Sequence, residues 1–450
     1  MSEKFSWRSP EEIQRRGREV GVNLPMSSDT SICGMPLSVG ELTLNNRLGI
    51  APMEGADSLA DGSPSELTLR RYVREAQGGA AVIWFEAISV VPEGRSSRTQ
   101  LLLTRRNLDS FKRMTDAVKK AGIQANGFAP YLICQANHSG RYSNPDNKPA
   151  PLIAFRSPYL EQFRKADDSC IVSDDYLEAL EERFGEGARL AKEAGFDAVD
   201  IKSCHGYLFA EVAAGFTRPG RYGGSYENRT RLLKNSIRAA KAYESPSFQI
   251  VSRIGIYDGY PYPYGFGMRD DKSLLPDYTE PKRLVQELYG DLGLRMICVT
   301  MGNPYVTTHV TRPFDRGKYV PAEHPLTGVG RMIEGTREIK RWVPGMKIWA
   351  SAPTYLRQFS DLYTAGAIRQ GYCDGMLFGR MAFADPDFPN QIIRAGRIDA
   401  SKVCMTCGAC GDLIRSHKPT GCVVRDGGTY LPYYREFLKE KNSLPKNFRG

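Results

Sequence analysis

The sequence predicts an α/β fold, a TIM (β/α)8 barrel, on two observations. Eight short apolar runs recur along the chain, at 48–52, 81–85, 124–129, 198–202, 249–254, 295–300, 347–351 and 375–378. Each is apolar on both faces, as a parallel sheet covered on both sides requires. Helical patterns fill most of the intervals, and eight alternating β/α units in 450 residues are the signature of a barrel. The clearest helix is 173–194. Ser173 can cap it, Asp174 and Asp175 suit its positive end, and Gly195 can close it. Tyr176, Leu177, Leu180, Phe184, Ala188 and Ala191 fall at three- and four-residue steps along it. A doubly wound nucleotide fold would need a glycine-rich turn directly after a strand. Gly265-Phe266-Gly267 follows a Pro/Tyr-rich loop instead and does not fit the dinucleotide fingerprint.

Three regions fall outside the repeat. Residues 1–30 read as a polar N-terminal extension, 31–400 as the barrel, and 401–450 as a cysteine-bearing tail. Within the barrel, residues 257–278 form a long Tyr/Pro/Gly loop after the fifth strand, where barrels shape their substrate sites.

Composition narrows the function classes. Apolar residues at 41% and charged residues at 25% exclude disorder, collagen and coiled coil as the main state. No apolar run reaches the roughly 18 residues of a membrane span. The first 20 residues are charged and lack the apolar segment of a secretory signal. A cytoplasmic chain without a membrane partner is expected, so its ten cysteines read as thiols or metal ligands rather than disulfides. The net charge of +10 is spread among interleaved acids and bases with no recognition module, so no nucleic-acid partner is expected. Half of that excess, +5, lies in residues 401–450.

Four constellations carry chemistry. Cys404-x-x-Cys407-x-x-Cys410, with Cys422 beyond, puts four thiols within 19 residues. Four thiolates can hold a [4Fe–4S] cluster or a structural zinc, and three on one tight turn with a remote fourth favour the cluster. Cys33, Cys134, Cys170, Cys298 and Cys373 read as small core residues. Cys204-His205-Gly206-Tyr207 follows the fourth strand, where barrels carry catalytic groups. Gln135-Ala136-Asn137-His138-Ser139-Gly140-Arg141 follows the third. It could bind a polar heterocycle or an anion, or could equally form a loop network. Phe378-Gly379-Arg380 and Ala350-Ser351-Ala352 close the eighth and seventh strands, the usual phosphate site of barrels. His309, after the sixth strand, is a further candidate proton donor.

In order along the chain, these pieces resemble the old yellow enzyme family of flavin-dependent ene-reductases. The likeness extends to its iron–sulfur branch, which includes 2,4-dienoyl-CoA reductase. It rests on Leu42-Thr43-Leu44-Asn45-Asn46-Arg47 leading into Ala51-Pro52-Met53, on the third- and fourth-strand motifs, and on Arg221-Tyr222-Gly223-Gly224-Ser225-Tyr226-Glu227-Asn228-Arg229. The resemblance implies FMN at the barrel mouth. Pro52 and Met53 would lie against its ring and Gln135 at the pyrimidine edge. Arg253 would stand near N1–C2=O, with Ser351, Gly379 and Arg380 on the phosphate. It further implies a [4Fe–4S] cluster on Cys404, Cys407, Cys410 and Cys422.

The implied reaction is hydride transfer to the C=C bond of a small unsaturated carbonyl, carboxylate or thioester substrate. His205 would grip the carbonyl and Tyr207 would protonate the α-carbon. Lys202 stands where the family has a first histidine. The chain ends 28 residues after Cys422, so the donor is expected to be NAD(P)H or an external acidic carrier. Ferredoxin, flavodoxin or an electron-transfer flavoprotein would suit the basic tail. Amine-type dehydrogenation on the same barrel, or a phosphate-binding lyase or isomerase with structural zinc, are the alternative readings. Association as a homo-oligomer is left open.

Overall fold

The computed structural model describes residues 3–271, 273–317 and 319–443; Lys446 and Arg449 of the basic tail lie outside the described residues. Eight parallel strands close into a barrel: β1 (Leu48–Ile50), β2 (Val82–Ser89), β3 (Tyr131–Asn137), β4 (Ala198–Ile201), β5 (Gln249–Gly255), β6 (Met296–Thr300), β7 (Lys347–Ala350) and β8 (Gly375–Phe378). β8 pairs with β1 through Met376–Leu48 and Phe378–Ile50, which completes the ring. Successive side chains alternate between two apolar layers. Val82 and Trp84 join Ile133, Val251, Cys298, Trp349 and Leu377 in the barrel interior. Ile83, Phe85, Leu132 and Val199 pack in the layer beneath the helices. A short antiparallel hairpin, Leu37–Val39 with Leu42–Leu44, adds Leu37, Val39 and Leu44 to the interior cluster and plugs the floor.

Seven strands fall on the expected runs. The third does not: residues 124–126 are the last turn of the helix Leu108–Asn126, and β3 begins at Tyr131. The stretch Ile123-Gln124-Ala125-Asn126-Gly127-Phe128-Ala129 continues the helix's own apolar spacing, and Gly127 then ends the helix at φ +78°. A short apolar run is ambiguous between the two periods until such a stop signal arbitrates. The helix Asp174–Glu193 forms as read, with the Ser173 hydroxyl accepting from the Tyr176 N–H at 3.0 Å. Cys33, Cys134, Cys298 and Cys373 are buried and Cys170 is partly exposed.

The N-terminal segment is packed rather than trailing. Trp7, Ile13 and Leu24 are buried in the main core. Phe5 and Trp7 meet Tyr355 edge-on at 6.0 and 6.2 Å. Residues 257–278 run as the expected long connection between β5 and the helix Thr279–Gly290. Among the described residues no helix is long and apolar enough to cross a membrane.

The loop after β3 resolves as a structural network. His138 Nε2 lies 2.8 Å from the Tyr176 hydroxyl. Arg141 and Glu211, 0% and 1% exposed, pair through Nη2–Oε1 at 2.7 Å and Nε–Oε2 at 3.1 Å. Arg141 also donates to the Phe155 carbonyl at 3.0 Å, and Glu211 accepts from the Ala154 N–H at 3.1 Å. Removing one partner strands the other charge in a dry site. Glu211→Ala should therefore lower unfolding free energy by about 3–5 kcal/mol, read as a drop in urea midpoint. Asp175→Ala, at an exposed pair with Arg221, should cost less than about 1 kcal/mol.

Candidate functional site

The C-terminal ends of the strands open into a cavity of about 580 Å³, within the roughly 300–1,000 Å³ range of small-molecule sites. Pro52 and Met53 line it beyond β1, His205 and Tyr207 beyond β4, and Arg253 on β5. Ser351 lines it beyond β7, and Gly379 and Arg380 beyond β8. Eight of the expected site residues thus converge on one space.

The turn after β4 sets the chemistry. His205 adopts φ +66° and Gly206 φ +68°. Two successive left-handed residues reverse the chain sharply enough to present both His205 and Tyr207 to the cavity. A Cβ on Gly206 would also lie 2.1 Å from Asn303 Nδ2. His205 Nε2 is 3.1 Å from the Thr300 hydroxyl on β6, which fixes the ring. Burial, then the charges of Arg253 and Lys202, hold His205 well below its ordinary pKa, so it is neutral. Burial, reinforced by Glu54, raises Tyr207 well above the usual phenol range, so it keeps its proton. Its hydroxyl donates to Glu54 Oε1 at 3.1 Å and lies 3.0 Å from the Tyr305 hydroxyl.

Three expected residues do not line the cavity. Gln135 is turned into a buried network, its Nε2 donating to Asp200 Oδ2 at 2.7 Å. Lys202 is buried with Nζ 3.9 Å from the centre of the Tyr207 ring, so it acts on that phenol rather than on the open space. Burial pushes its pKa down to about 8. His309 is held by the Tyr319 hydroxyl at 2.7 Å and points away from the site.

Others were missed. Glu54 directly follows Met53, four residues past the end of β1, and an acid in the loop after a strand end is the signal that could have found it. Tyr305 stands in the same Gly302-Asn303-Pro304-Tyr305 turn that drew attention to His309. It stacks on Tyr142 at 3.8 Å. Arg164, Arg312 and His417 also line the cavity, and no local pattern announces them.

The lining fits a flavin mononucleotide. Arg253 Nε is buried with no hydrogen-bond partner, an unanswered donor at the cavity wall. Arg380 makes only a 3.4 Å contact to the Pro313 carbonyl, which leaves a guanidinium free for an anion. A Cβ on Gly379 would sit 2.9 Å from Met53 Sδ and occupy space that the ring and its chain would need. Ser351 spends its hydroxyl on the Val299 carbonyl at 2.9 Å, so what it offers an anion is its backbone.

The tail forms one wall. Cys410, Gly411, Ile414, His417 and Thr420 line the cavity, and the Thr420 N–H donates to the Gly55 carbonyl at 2.7 Å. Cys404, Cys407, Cys410 and Cys422 line a second, smaller cavity together with Arg380. Backbone N–H groups approach two of the sulfurs: Thr406 to Cys404 at 3.4 Å and Arg425 to Cys422 at 3.3 Å. Among the described residues no group of three or more His, Cys, Asp or Glu side chains is gathered as a metal-ion site.

A family model described as the NADH:flavin oxidoreductase / NADH oxidase family matches residues 35–265. The chain is similar to an NADPH dehydrogenase from Bacillus velezensis, 31% identical over 222 residues, covering 48% of this chain and 62% of that one. It is 26% identical over 414 residues to a 4,4'-dithiodibutanoate disulfide reductase from Rhodococcus erythropolis, covering 87% and 94%. A solved 2-naphthoyl-CoA reductase complex shares the fold with a TM-score of 0.72 at 18% identity, covering 91% of this chain and 58% of that one. The chain therefore spans less than two thirds of several of the proteins it matches.

Filling the Gly379 notch tests the fit. Gly379→Val should reduce FMN retention at least tenfold, about 1.4 kcal/mol, measured by fluorescence titration of the apoprotein. Thermal unfolding of that apoprotein should change little.

Proposed function

The chain belongs to the NADH:flavin oxidoreductase / NADH oxidase family, and we propose that it is a flavin-dependent oxidoreductase that reduces activated C=C bonds. The substrate is a small α,β-unsaturated carbonyl, carboxylate or thioester compound. The observation that carries this reading is the turn after β4, which presents a neutral His205 and a proton-bearing Tyr207 to the same cavity.

Pro52, Met53, Arg253, Ser351, Gly379 and Arg380 would hold FMN, which when bound would supply the hydride equivalent for the β-carbon. His205 donates a hydrogen bond to the carbonyl oxygen, where negative charge builds as the double bond is reduced. A preorganised donor in a dry site is worth far more there than in water. Arg253 and Lys202 add positive potential around the same turn. Tyr207 gives its proton to the α-carbon, and the phenolate left behind lies over the Lys202 ammonium, 3.9 Å from the ring centre. Gln135 acts at a distance: through Asp200 it joins β3 to β5 and sets the Arg253 backbone.

We take residues 31–400 as the FMN barrel and 401–450 as a tail whose Cys404, Cys407, Cys410 and Cys422 hold a [4Fe–4S] cluster. A cuboidal cluster takes one thiolate at each iron, so its ligands surround a cage rather than one point. Four thiols around a common cavity, with N–H groups on two of the sulfurs, support that reading over zinc. Burial holds the Cys404 pKa up at about 11, so a ligand must displace its proton. Cys410 and Arg380 border both cavities, which puts the cluster one residue from the flavin site. The electron donor is NAD(P)H, in keeping with the name of the Bacillus relative, or an acidic carrier meeting the basic tail.

Two experiments decide these points. Tyr207→Phe should leave reduction of the flavin by donor intact while slowing alkene reduction roughly 10²–10⁴-fold, read by anaerobic stopped flow; equal loss in both half-reactions would remove the proton-donor role. Anaerobic reconstitution should load iron and sulfide in about equal amounts with broad visible absorbance, lost in Cys422→Ser. Stoichiometric zinc in their place would overturn the cluster.

A further inference from the structure

The cavity carries two separate sets of cationic side chains, and FMN accounts for only one of them. Arg380 belongs to the phosphate side, and Arg312 lies close enough for each guanidinium to oppose the other's charge. The second set is Arg164 and His417, which line the same space. Burial, then the neighbouring Arg164 charge, push the His417 pKa down. The same charge reaches the Tyr305 hydroxyl, where it works against burial. Arg164 therefore stands near both His417 of the tail and Tyr305.

Its hydrogen bonding is unfinished. Arg164 Nε is buried without a partner. Its nearest acceptor is the Ser143 carbonyl, at a long 3.4 Å from Nη2. Among the described residues no carboxylate lies within salt-bridge reach, although most buried or half-buried guanidinium groups in this chain have one. Asn144 donates from Nδ2 to His417 Nε2 at 3.1 Å and so holds that ring in place. His417 is itself held at φ +54°, an uncommon conformation for a non-glycine residue that marks sites over-determined by their surroundings. Tyr142 and Tyr305, stacked at 3.8 Å, supply a flat apolar wall beside this polar corner.

We infer that Arg164, with His417 and Asn144, forms an oxyanion subsite, and that the substrate carries a second, anionic group, a carboxylate or phosphate, remote from the double bond and separated from it by a planar or apolar spacer. A guanidinium fork matches either anion bidentately, and a site built to pair an anion discriminates strongly against a neutral analogue that leaves it unpaired. The inference rests on the proposed alkene reduction in this cavity.

The test compares three probes on the oxidised FMN holoenzyme: 4-(3-oxobut-1-enyl)benzoate, its benzamide, and 4-(3-oxobut-1-enyl)phenyl phosphate. Affinity is read by flavin absorbance perturbation and calorimetry, without turnover. The benzoate or the phosphate should bind at least tenfold tighter than the amide, and the tighter of the two identifies the anion. That ratio should fall to within threefold in Arg164→Gln and recover in part in Arg164→Lys. An acid-to-amide ratio near one in the wild type, or one retained in Arg164→Gln, overturns the subsite. Arg164-dependent binding of probes that are never reduced would leave the subsite standing and remove the ene-reduction reading. Reduction with an unchanged ratio would do the reverse.

Discussion

One buried carboxylate joins the dry half of this barrel to its chemical half. Asp200, on β4, accepts from Trp84 Nε1 on β2 at 2.8 Å and from Gln135 Nε2 on β3 at 2.7 Å. Its other oxygen accepts the Arg253 backbone N–H on β5 at 2.7 Å. Below it lie the tryptophans and aliphatics of the interior; above it begin Lys202, His205 and Arg253. Burial pushes its pKa up to about 6, yet three donors aimed at it favour the charged form. An aspartate is short enough to fit under the site and satisfies donors from three strands at once. Every cationic group above it is therefore set on a backbone whose register this side chain helps fix.

The second constraint is the strap that brings the tail over the mouth. The helix Glu66–Gln77 places Arg70 and Arg74 outward and Arg71 inward. Asp426 takes both outward guanidinium groups, Arg70 at 2.8 and 3.0 Å and Arg74 at 2.6 Å. Arg71 turns to Glu86 at 2.6 Å and Asp57 at 3.2 Å in the core. With Thr420 bound to the Gly55 carbonyl, the cysteine segment is pinned on both sides of Cys422. The same pinning makes Cys410, His417 and Thr420 part of the cavity wall. Cysteine pocket and substrate space are thus neighbours by construction, and a change in one is felt in the other through Cys410 and Arg380.

Much of this was legible because barrel physics is periodic. Strands buried on both faces announce themselves as apolar runs, and site residues gather at their C-terminal ends, so His205, Tyr207 and Gly379 could be named from position, whereas Arg253 was named through the family resemblance. The third strand failed because Gln124-Ala125-Asn126 satisfies a helix as well as a strand, and only Gly127 decides. Gln135 and Lys202 failed for a different reason: each sits where a strand ends, but a side chain there can turn toward the cavity or toward Asp200 and Tyr207. Nothing in local spacing encodes that choice. Arg164 and His417 were illegible for the same cause, since they meet only after closure of the barrel and folding of the tail. The cysteine triplet stood out because three thiols recur at three-residue steps in one short stretch.

The charge balance of the cavity gives these placements a common logic. His205, Lys202 and Arg253 meet near two carboxylates: Asp200 is taken up by Trp84, Gln135 and the Arg253 N–H, and Glu54 by the Tyr207 and Ser96 hydroxyls at 3.1 Å each. Like charges crowded in a poorly solvated space destabilise each other. The protein answers by keeping His205 neutral and by drawing Lys202 toward neutrality, which leaves Arg253 as the permanent cation. In the proposed reaction, addition of hydride to an activated alkene would move charge onto the carbonyl oxygen, and proton loss from Tyr207 would leave a second anion beside Lys202. The first charge would appear beside Arg253 and Lys202, and the second would have the Lys202 ammonium over its ring to set against the neighbouring Glu54 carboxylate.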